Sequence, residues 1–466
     1  MLNQVDIVHG FYYLLMHVVF EIFGDSLWTL RMPSVLAMTA AAALTATLGV
    51  RLAGSVTGLA SGLVFALSPA AQFYAQEGRS YALVTSCAAG ATLLLVAALE
   101  GSRPLRWVGY AGLILCAGLL NWFSLLILLA HAATLVLVRP CRPHVLCWVA
   151  AASAAAGGTL PLIWVSRTQI YQVSWIRPLT PSVVLVVMLF LCAGAACGKV
   201  PHRGARRIRL AALAVPLFVV PPFVLMVVSL VKPVFLTRYV LYAQVGLALL
   251  LGLALGAGAQ WLVARKAPRP GSRRDDRARL LLIAAAVSAF VLLLPLEWDL
   301  RQPGSRADDV LTAANEVSHL ARPGDAVLFL PAARRDTLLV SPATFTGLRD
   351  LALVTSPVPD GTLKGAEASP CMIRAMMAAT ARIVVVSDVD DARVTSVRDR
   401  AKQAMLRSQF VVLVQREHNG RRVTVYVRHS RDGAAGQRTV SPQRSCVKDE
   451  GEERLDWHGR HRPRLR

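Results

Sequence analysis

Four groups of polar and aromatic residues interrupt a strongly apolar sequence, and each mixes side chains that can take part in chemistry. The groups are Asp6–Tyr13, Phe73–Tyr81, Gln169–Arg177 and Lys232–Tyr239. A positioned carboxylate can accept the proton of a hydroxyl group. Guanidinium groups bind phosphate, and aromatic rings can stack on the faces of sugars. The mixture favours a site for an anionic, sugar-bearing ligand.

Within these groups, Asp6 and Glu77 are the candidate catalytic carboxylates, and Arg79 and Arg238 are the candidate cations for a phosphate. The remaining candidates for substrate binding are His9, Tyr12, Tyr13, Gln76, Tyr81, Trp175 and Tyr239. Simpler interpretations stay open. Glu77 and Arg79 could pair with each other, and Arg238 with Tyr239 could anchor a helix at the membrane interface.

The sequence does not determine whether the protein needs a metal ion, and it points to no certain cofactor. A divalent cation could bind at Asp6 and His9, but two ligands do not define a site. Cys371 and Cys446 could form a disulfide, which spacing alone does not establish.

The elements that must position these residues are membrane-spanning helices. Of 466 residues, 55% are hydrophobic and only 17% are charged, whereas soluble domains are typically about a quarter charged. A helix of about 20 apolar residues crosses a bilayer. The predicted spans lie near residues 35–52, 56–70, 80–99, 106–120, 122–138, 145–166, 182–199, 210–231, 240–263 and 279–296. The 106–138 stretch could instead be one span followed by a re-entrant segment.

The net charge of +22 is concentrated in the short loops and the C-terminal tail. Loops near residues 53, 103, 141, 204 and 271 are the more basic ones, which predicts that they face the cytoplasm. Both ends of the chain, and all four polar groups, are then outside the plasma membrane. The loops have no aromatic interleaving of the kind that binds nucleic acid, so membrane orientation explains the charge and no nucleic-acid partner is predicted.

Four regions are predicted along the chain. Residues 1–34 form an outer loop with an interfacial helix at 10–23, and residues 35–296 form the transmembrane body. Residues 297–430 alternate helical and strand patterns and form an extracytoplasmic α/β domain. Residues 431–466 form a disordered basic tail. In the α/β domain, Arg334, Arg335 and Asp336 are expected to be solvated.

The polar groups resemble the motifs of GT-C membrane glycosyltransferases, specifically the actinobacterial mannosyltransferase-like proteins of the dolichyl-phosphate-mannose protein mannosyltransferase superfamily. The resemblance rests on the residues around Asp6–His17, Phe23–Ser26 with Arg31, Pro33 and Ser34, Tyr74–Leu83, and Arg238 with Tyr239. It covers the membrane body to about residue 296, and its most specific part is the Gln-Glu-x-Arg-x-Tyr block at 76–81.

The resemblance implies transfer of mannose or a related hexose from a polyprenyl-phosphate carrier to a glycolipid, glycan or protein hydroxyl, with inversion at the anomeric carbon. It also implies an acidic base in the first outer loop, and a position for Arg238 near the carrier phosphate. Family members have a first helix and an acidic pair before the segment that matches Asp6. We therefore expect that the chain is truncated at its N-terminus, with Asp6 a secondary carboxylate.

Two other classes of function remain as alternatives. The first is a lipid or solute transporter or flippase. The spans contain few charges and all polar groups are predicted on one side, and both features argue against this alternative. The second is a catalytically inactive envelope protein that binds a partner through its outer domain, for which the missing acidic pair is the main support.

Overall fold

The structure is a computed structural model, and it describes residues 7–101, 103–167, 178–200, 208–266, 272–305, 308–389 and 396–429. The chain divides between Glu297 and Trp298 into two compact units. The first is helical, and the second contains a β-sheet. The predicted disordered tail at 431–466 lies outside the described residues.

The first unit is built from twelve helices among the residues described, the last of which runs past the boundary between the units. They are α1 (Gly10–Phe23), α2 (Leu27–Ala53), α3 (Ser55–Leu67), α4 (Pro69–Ala75), α5 (Tyr81–Glu100), α6 (Pro104–Leu120), α7 (Leu126–Val138), α8 (Arg142–Ser166), α9 (Pro181–Ala196), α10 (Leu210–Val231), α11 (Ala243–Lys266) and α12 (Ser272–Arg301).

Seven helices of the described residues are long and apolar enough to cross a membrane, and α3 with α4 makes an eighth span if this bent pair counts as one. Two further predicted spans fall on the shorter apolar helices Pro104–Leu120 and Trp122–Val138. Each of the ten predicted spans therefore coincides with a helix or a bent pair of helices, and the predicted polytopic helical fold is confirmed. Orientation in a membrane stays a prediction.

The bend between α3 and α4 shapes the part of the unit that carries the polar groups. The chain bends by 58° from α3 to α4. Ser68 caps α4 by accepting a hydrogen bond from the amide of Ala71 at 3.3 Å, and Pro69 occupies its first turn. The Ser68 hydroxyl also donates to Oε1 of Gln244 at 2.8 Å. This bond ties the bend to α11.

The predicted ambiguity at 106–138 is resolved as two helices joined by a 3-10 turn at Trp122–Leu125. Asn121 ends α6 and is only 2% exposed. Its side-chain oxygen accepts a hydrogen bond from the amide of Phe123 at 3.1 Å. An asparagine that caps its own chain in this way favours a turn over a continuous helix.

A buried chain of hydrogen bonds links α5, α6, α7 and α8. The Thr92 hydroxyl donates to the carbonyl of Ala88 at 2.7 Å, so it must accept from Nε2 of His131 at 3.1 Å. Nδ1 of His131 then accepts from the Tyr110 hydroxyl at 2.9 Å. The Tyr110 oxygen in turn accepts from Nε1 of Trp148 at 2.9 Å. These contacts fix the tautomer of His131 as the one protonated on Nε2.

The second unit contains β1 (Ala326–Leu330), β2 (Arg349–Asp350), β3 (Leu353–Thr355), β4 (Ala366–Glu367), β5 (Arg382–Ser387), β6 (Phe410–His418) and β7 (Arg421–Arg428). Its helices are α13 (Val310–Leu320), α14 (Asp336–Val340), α15 (Pro357–Asp360), α16 (Pro370–Ala378) and α17 (Val397–Gln409). Strands β2, β1, β5, β7 and β6 form one sheet in that order, and β3 pairs with β4.

In the main sheet, β1 runs parallel to β2 and β5, whereas β7 runs antiparallel to β5 and β6. One face of the sheet packs Leu328 and Val385 against Ile373 and Met377. The other face packs Phe329 against Val317 of α13. Apolar layers on both faces give this unit the predicted α/β architecture.

The prediction that Arg334, Arg335 and Asp336 are solvated is wrong for Arg335, whereas Arg334 and Asp336 are partly exposed and form ion pairs. The Arg335 side chain is fully buried, with Nε 2.7 Å from Oδ2 of Asp350 and Nη2 2.9 Å from Oε1 of Glu367. Nε of Arg334 lies 2.6 Å from Oδ1 of Asp388. Asp336 accepts from the guanidinium of Arg421 at 2.7 Å. A charge can be buried when carboxylates from other segments pair with it.

The buried network continues to Lys402, which is also fully buried. Its Nζ donates to both carboxylate oxygens of Glu367 at 2.8 Å, to Oδ1 of Asp399 at 2.9 Å and to the carbonyl of Phe329 at 3.0 Å. Glu367 thereby bridges Arg335 and Lys402.

Candidate functional site

The turn between α4 and α5 carries the most specific predicted motif, Gln76–Tyr81. It is held against α2 by two contacts. The Ser34 hydroxyl donates to the backbone carbonyl of Glu77 at 2.7 Å. A Cβ at Gly78 would lie 2.5 Å from a methyl carbon of Leu30, so a larger residue here would displace the Leu30 side chain. Because Ser34 belongs with Arg31 and Pro33 to another motif of the predicted resemblance, two of those motifs meet here.

The N-terminal group reaches the same turn. His9 ends a 3-10 turn at Ile7–His9, and its Nδ1 lies 3.5 Å from the Ser80 hydroxyl. Its ring centroid is 6.0 Å from that of Tyr81 and 6.4 Å from that of Tyr13, both edge-to-face. Tyr12 is only 2% exposed, and its ring lies 6.2 Å from that of Tyr13. The predicted aromatic residues of α1 therefore line the turn.

Arg238 and Tyr239 approach from the other end of the sequence. They lie in a 3-10 turn at Thr237–Val240. The guanidinium carbon of Arg238 is 5.8 Å from the ring centroid of Tyr81 and 5.9 Å from that of Tyr239, within cation–π range. The rings of Tyr81 and Tyr239 are 6.2 Å apart. Tyr81 thus contacts both His9 and Arg238, and it joins three of the predicted groups.

The charges of the cluster lie close enough to act on one another. Burial raises the pKa of Tyr12 to about 12, with Arg79 lowering it and Glu77 raising it. Burial lowers the pKa of Arg79, but Tyr81, Glu77 and Tyr13 raise it, and the net direction is upward. Arg79 therefore stays cationic and Tyr12 keeps its proton at neutral pH. The described residues contain no ion pair between Glu77 and Arg79, so the simple pairing that the sequence allowed is not seen.

Three buried oxygen atoms of the cluster lack a hydrogen-bond partner within the described part of the chain. They are the Tyr12 hydroxyl, Oε1 of Gln76 and Oε2 of Glu77. An unsatisfied buried polar group costs about 1–3 kcal/mol. Two acceptors and one hydroxyl at one place could bind the hydroxyl groups of a ligand, while Arg79 and Arg238 supply positive charge beside them.

Sequence reasoning missed part of the aromatic wall of this site. The ring of Phe123 stacks on that of Tyr239, with centroids 4.6 Å apart and planes at 9°. Trp122 stacks on Phe123 at 3.9 Å. The ring of Tyr74 lies 6.0 Å from that of Tyr81. The break at Asn121-Trp122 in an apolar stretch was the available signal for the first two, whereas Tyr74 was part of the predicted motif without a role.

Two predicted site residues, Asp6 and Trp175, lie outside the described residues. In the part of the chain that the structure does describe, no group of three or more His, Cys, Asp or Glu side chains could hold a metal ion. Cys371 is disulfide-bonded, and Cys446, the partner that the sequence suggests, lies outside the described residues.

Comparison with known proteins finds one family that is similar to part of the chain. Residues 11–171 match the family described as dolichyl-phosphate-mannose-protein mannosyltransferase. This segment includes α1 and the Gln76–Tyr81 turn. No curated protein sequence matches the chain significantly.

Solved structures extend the likeness beyond residue 171. The crystal structure of ArnT from Cupriavidus metallidurans in the apo state is 13% identical, with a TM-score of 0.52 over 89% of this chain and 87% of that chain. ArnT bound to undecaprenyl phosphate is 14% identical, with a TM-score of 0.51 over 92% of this chain and 88% of that chain. A cryo-EM structure of the arabinofuranosyltransferase AftD from Mycobacteria is 17% identical, with a TM-score of 0.42 over 89% of this chain and 36% of that chain.

The predicted resemblance to GT-C membrane glycosyltransferases is confirmed by the family match and by the ArnT fold. At these identities the structural likeness establishes the fold, which is helical with a small β-sheet unit at the C-terminus. The family and the ArnT structures are of GT-C type glycosyltransferases, which agrees with the predicted enzyme class.

Proposed function

We propose that this chain, whose fold is that of the GT-C glycosyltransferases, transfers a sugar from a polyprenyl-phosphate carrier to a hydroxyl group at the outer face of the plasma membrane. Mannose or a related hexose is the proposed sugar, and a glycolipid, glycan or protein is the proposed acceptor. One of the two ArnT structures has undecaprenyl phosphate bound, which supports a lipid-linked donor here.

One observation carries the proposal: the three buried polar atoms without partners among the described residues lie in the same cluster as two cations and a ring of aromatic side chains. A sugar phosphate offers hydroxyl groups for the amide and carboxylate oxygens, and negative charge for the guanidinium groups. The tyrosine rings provide apolar faces for the sugar ring.

Glu77 is the proposed general base among the described residues. Its Oε2 atom has no partner in the described part of the free protein and could accept the proton of the acceptor hydroxyl. The acceptor oxygen then forms a bond to the anomeric carbon, while the bond from that carbon to the phosphate oxygen breaks. Polyprenyl phosphate leaves with the electron pair, and attack from the opposite face inverts the anomeric centre.

Arg238 and Arg79 are proposed to hold the carrier phosphate and to stabilise the charge that it gains as it leaves. The guanidinium of Arg238 lies within cation–π range of both Tyr81 and Tyr239, and such contacts limit the conformations of the side chain. His9, Tyr12, Tyr13 and Gln76 are proposed to contact the sugar or the acceptor. Asp6 is proposed as a second carboxylate, and Trp175 as a further aromatic contact.

The test is a transfer assay in membranes that contain the full chain, with radiolabelled polyprenyl-phosphate mannose and, in parallel, the glucose and galactose carriers. We expect transfer by the wild-type chain and a loss of at least about a hundredfold in Glu77→Gln, which is in the range for removal of a general base. Arg238→Ala should raise the KM for the carrier.

Glu21→Gln is the matched control, because Glu21 is an exposed carboxylate of α1 that lies 3.9 Å from Nδ1 of His17 and outside the cluster. Its activity should equal that of the wild type. Full activity in Glu77→Gln would remove Glu77 as the base. No transfer from any carrier, together with carrier-dependent movement of lipid between leaflets, would instead support the transporter alternative.

A further inference from the structure

The junction between α6 and α7 carries an aromatic residue that no sequence motif singled out, and its ring stacks on that of Tyr239, the chain neighbour of Arg238. Phe123 and Tyr239 come from distant parts of the chain, yet their rings are nearly parallel, at 9°, with centroids 4.6 Å apart. Trp122 covers Phe123 at 3.9 Å with an interplanar angle of 22°. We call Trp122, Phe123 and Tyr239 the aromatic stack.

Both ends of the aromatic stack are fixed by backbone hydrogen bonds. On one side, Asn121 accepts from the amide of Phe123 at 3.1 Å. On the other side, the Ser229 hydroxyl oxygen accepts from the amides of Val234 and Phe235 at 3.0 and 3.1 Å. The bonds to Ser229 hold the segment that leads into the turn of Arg238 and Tyr239.

Apolar packing completes the support. Phe123 and Tyr239 pack against a small buried cluster formed by Leu225, Val234 and Val240. Leu225 is 1% exposed, and each of the two valines is 6% exposed. The plane of Tyr239 is therefore set by Phe123 on its face and by this cluster at its edge, before any ligand binds.

The guanidinium of Arg238 lies against Tyr239 at 5.9 Å and against Tyr81 at 5.8 Å. We infer that Phe123 is a positioning residue for Arg238: by its stack on Tyr239 it holds the guanidinium where the phosphate of the lipid carrier binds. The inference rests on the proposed function, because it assigns the anion at Arg238 as that phosphate. Phe123 itself has no hydrogen-bond donor for an anion, so its effect on an anion acts through the residues that it contacts.

The test measures binding rather than turnover, with the full chain in lipid nanodiscs and undecaprenyl phosphate without sugar as the probe. Phe123→Leu keeps apolar volume and removes the ring. We expect it to weaken binding by about three- to tenfold, which is the scale of an aromatic pair, and Phe123→Tyr should restore wild-type binding. Phe235→Leu is the control, because Phe235 packs in the same cluster but makes no ring contact among the described residues.

A double-mutant cycle with Arg238→Ala separates positioning from general packing. In the Arg238→Ala background, Phe123→Leu should have no further effect on binding, since the group that it positions is gone. An equal loss in both backgrounds, or an equal loss in Phe235→Leu, would overturn the inference. Wild-type binding by Phe123→Leu while Arg238→Ala is weakened would overturn it too and leave the proposed function intact. A wild-type chain that does not bind the probe would contradict the proposed function itself.

Discussion

The Ser34 hydroxyl donates a hydrogen bond to the backbone carbonyl of Glu77 at 2.7 Å, which fixes the candidate base to helix α2. Ser34 is fully buried. The proposed base is therefore held through its backbone, and its side-chain Oε2 has no partner among the described residues and is left for a ligand. A base that is positioned through its backbone keeps its side-chain carboxylate available to the substrate.

Replacement of Ser34 by Ala should loosen this turn. A typical net hydrogen bond contributes about 0.5–1.5 kcal/mol, so we expect kcat/KM for transfer to fall by about three- to tenfold. Thr47→Ala is the control, because the Thr47 hydroxyl bonds within α2, to the carbonyl of Ala43 at 2.8 Å. The assay is carrier-dependent transfer at matched protein levels. An equal loss in both variants would show that the effect is on α2 in general.

Tyr12→Phe should affect stability and activity in opposite directions. The Tyr12 hydroxyl is buried without a partner among the described residues, so its removal should leave the melting temperature unchanged or raise it. Transfer should fall, by about tenfold if the hydroxyl binds the ligand. The measurements are thermal unfolding of the free protein and kcat/KM.

Tyr242→Phe serves as the matched control for that comparison. The Tyr242 hydroxyl is likewise buried without a partner, and among the described residues no charged side chain acts on it. This variant should show the same change in melting temperature with full activity. A loss of stability in Tyr12→Phe would mean that the hydroxyl has a partner in the free protein.

The hydrogen-bonded chain through His131 predicts which of two variants is the less stable. Tyr110→Phe leaves both Nδ1 of His131 and Nε1 of Trp148 without partners, whereas Thr92→Val leaves only Nε2 of His131 without one. Each group left without a partner should lower the free energy of unfolding by at most about 1–3 kcal/mol. Hydrogen bonds between membrane helices contribute less than this on average. Thermal unfolding in detergent should rank Tyr110→Phe as the less stable variant, and the reverse ranking would contradict the hydrogen-bonded chain through Tyr110.

Arg335→Ala should strongly destabilise the C-terminal unit. It leaves the nearly buried carboxylate of Asp350 without its cation, whereas Glu367 keeps Lys402, and loss of one partner of a buried ion pair typically costs about 3–5 kcal/mol. Hydrogen exchange of β1 and β5 should rise. Arg349→Ala, at an exposed neighbouring position, should change exchange little. Unchanged protection in Arg335→Ala would show that solvent replaces the lost guanidinium.

The predicted orientation can be checked with cysteine labelling. Cys141 is exposed in the loop between α7 and α8, which the basic residues place in the cytoplasm. A membrane-impermeant maleimide should label it only after cells are permeabilised. Thr180→Cys, in a chain that carries Cys141→Ser, should be labelled in intact cells because it precedes α9 on the opposite side. Labelling of Cys141 in intact cells would reverse the orientation and place the site inside.

The sequence by itself was enough to locate the spans and most elements of the C-terminal unit. In a bilayer, an apolar run of this length satisfies its backbone hydrogen bonds by forming a helix. All ten predicted runs coincide with helices or with a bent pair of helices. The strand patterns predicted within residues 297–430 include the apolar runs at 326–330 and 383–386, which coincide with β1 and with the centre of β5. The cap of α16 by Ser369, with Pro370 in its first turn, also followed from residue types alone.

Only the tertiary structure decided which of these residues meet. The motifs named Glu77, Arg79 and Arg238, but their convergence on Tyr81 depends on how α1, α5 and α10 pack. Phe123 carries no polar group, so in an apolar stretch it is indistinguishable from ordinary core. Arg335 has the local pattern of a solvated residue because its partners, Asp350 and Glu367, come later in the chain. Burial of a charge and the approach of two rings are set by long-range contacts, and local residue patterns do not encode these.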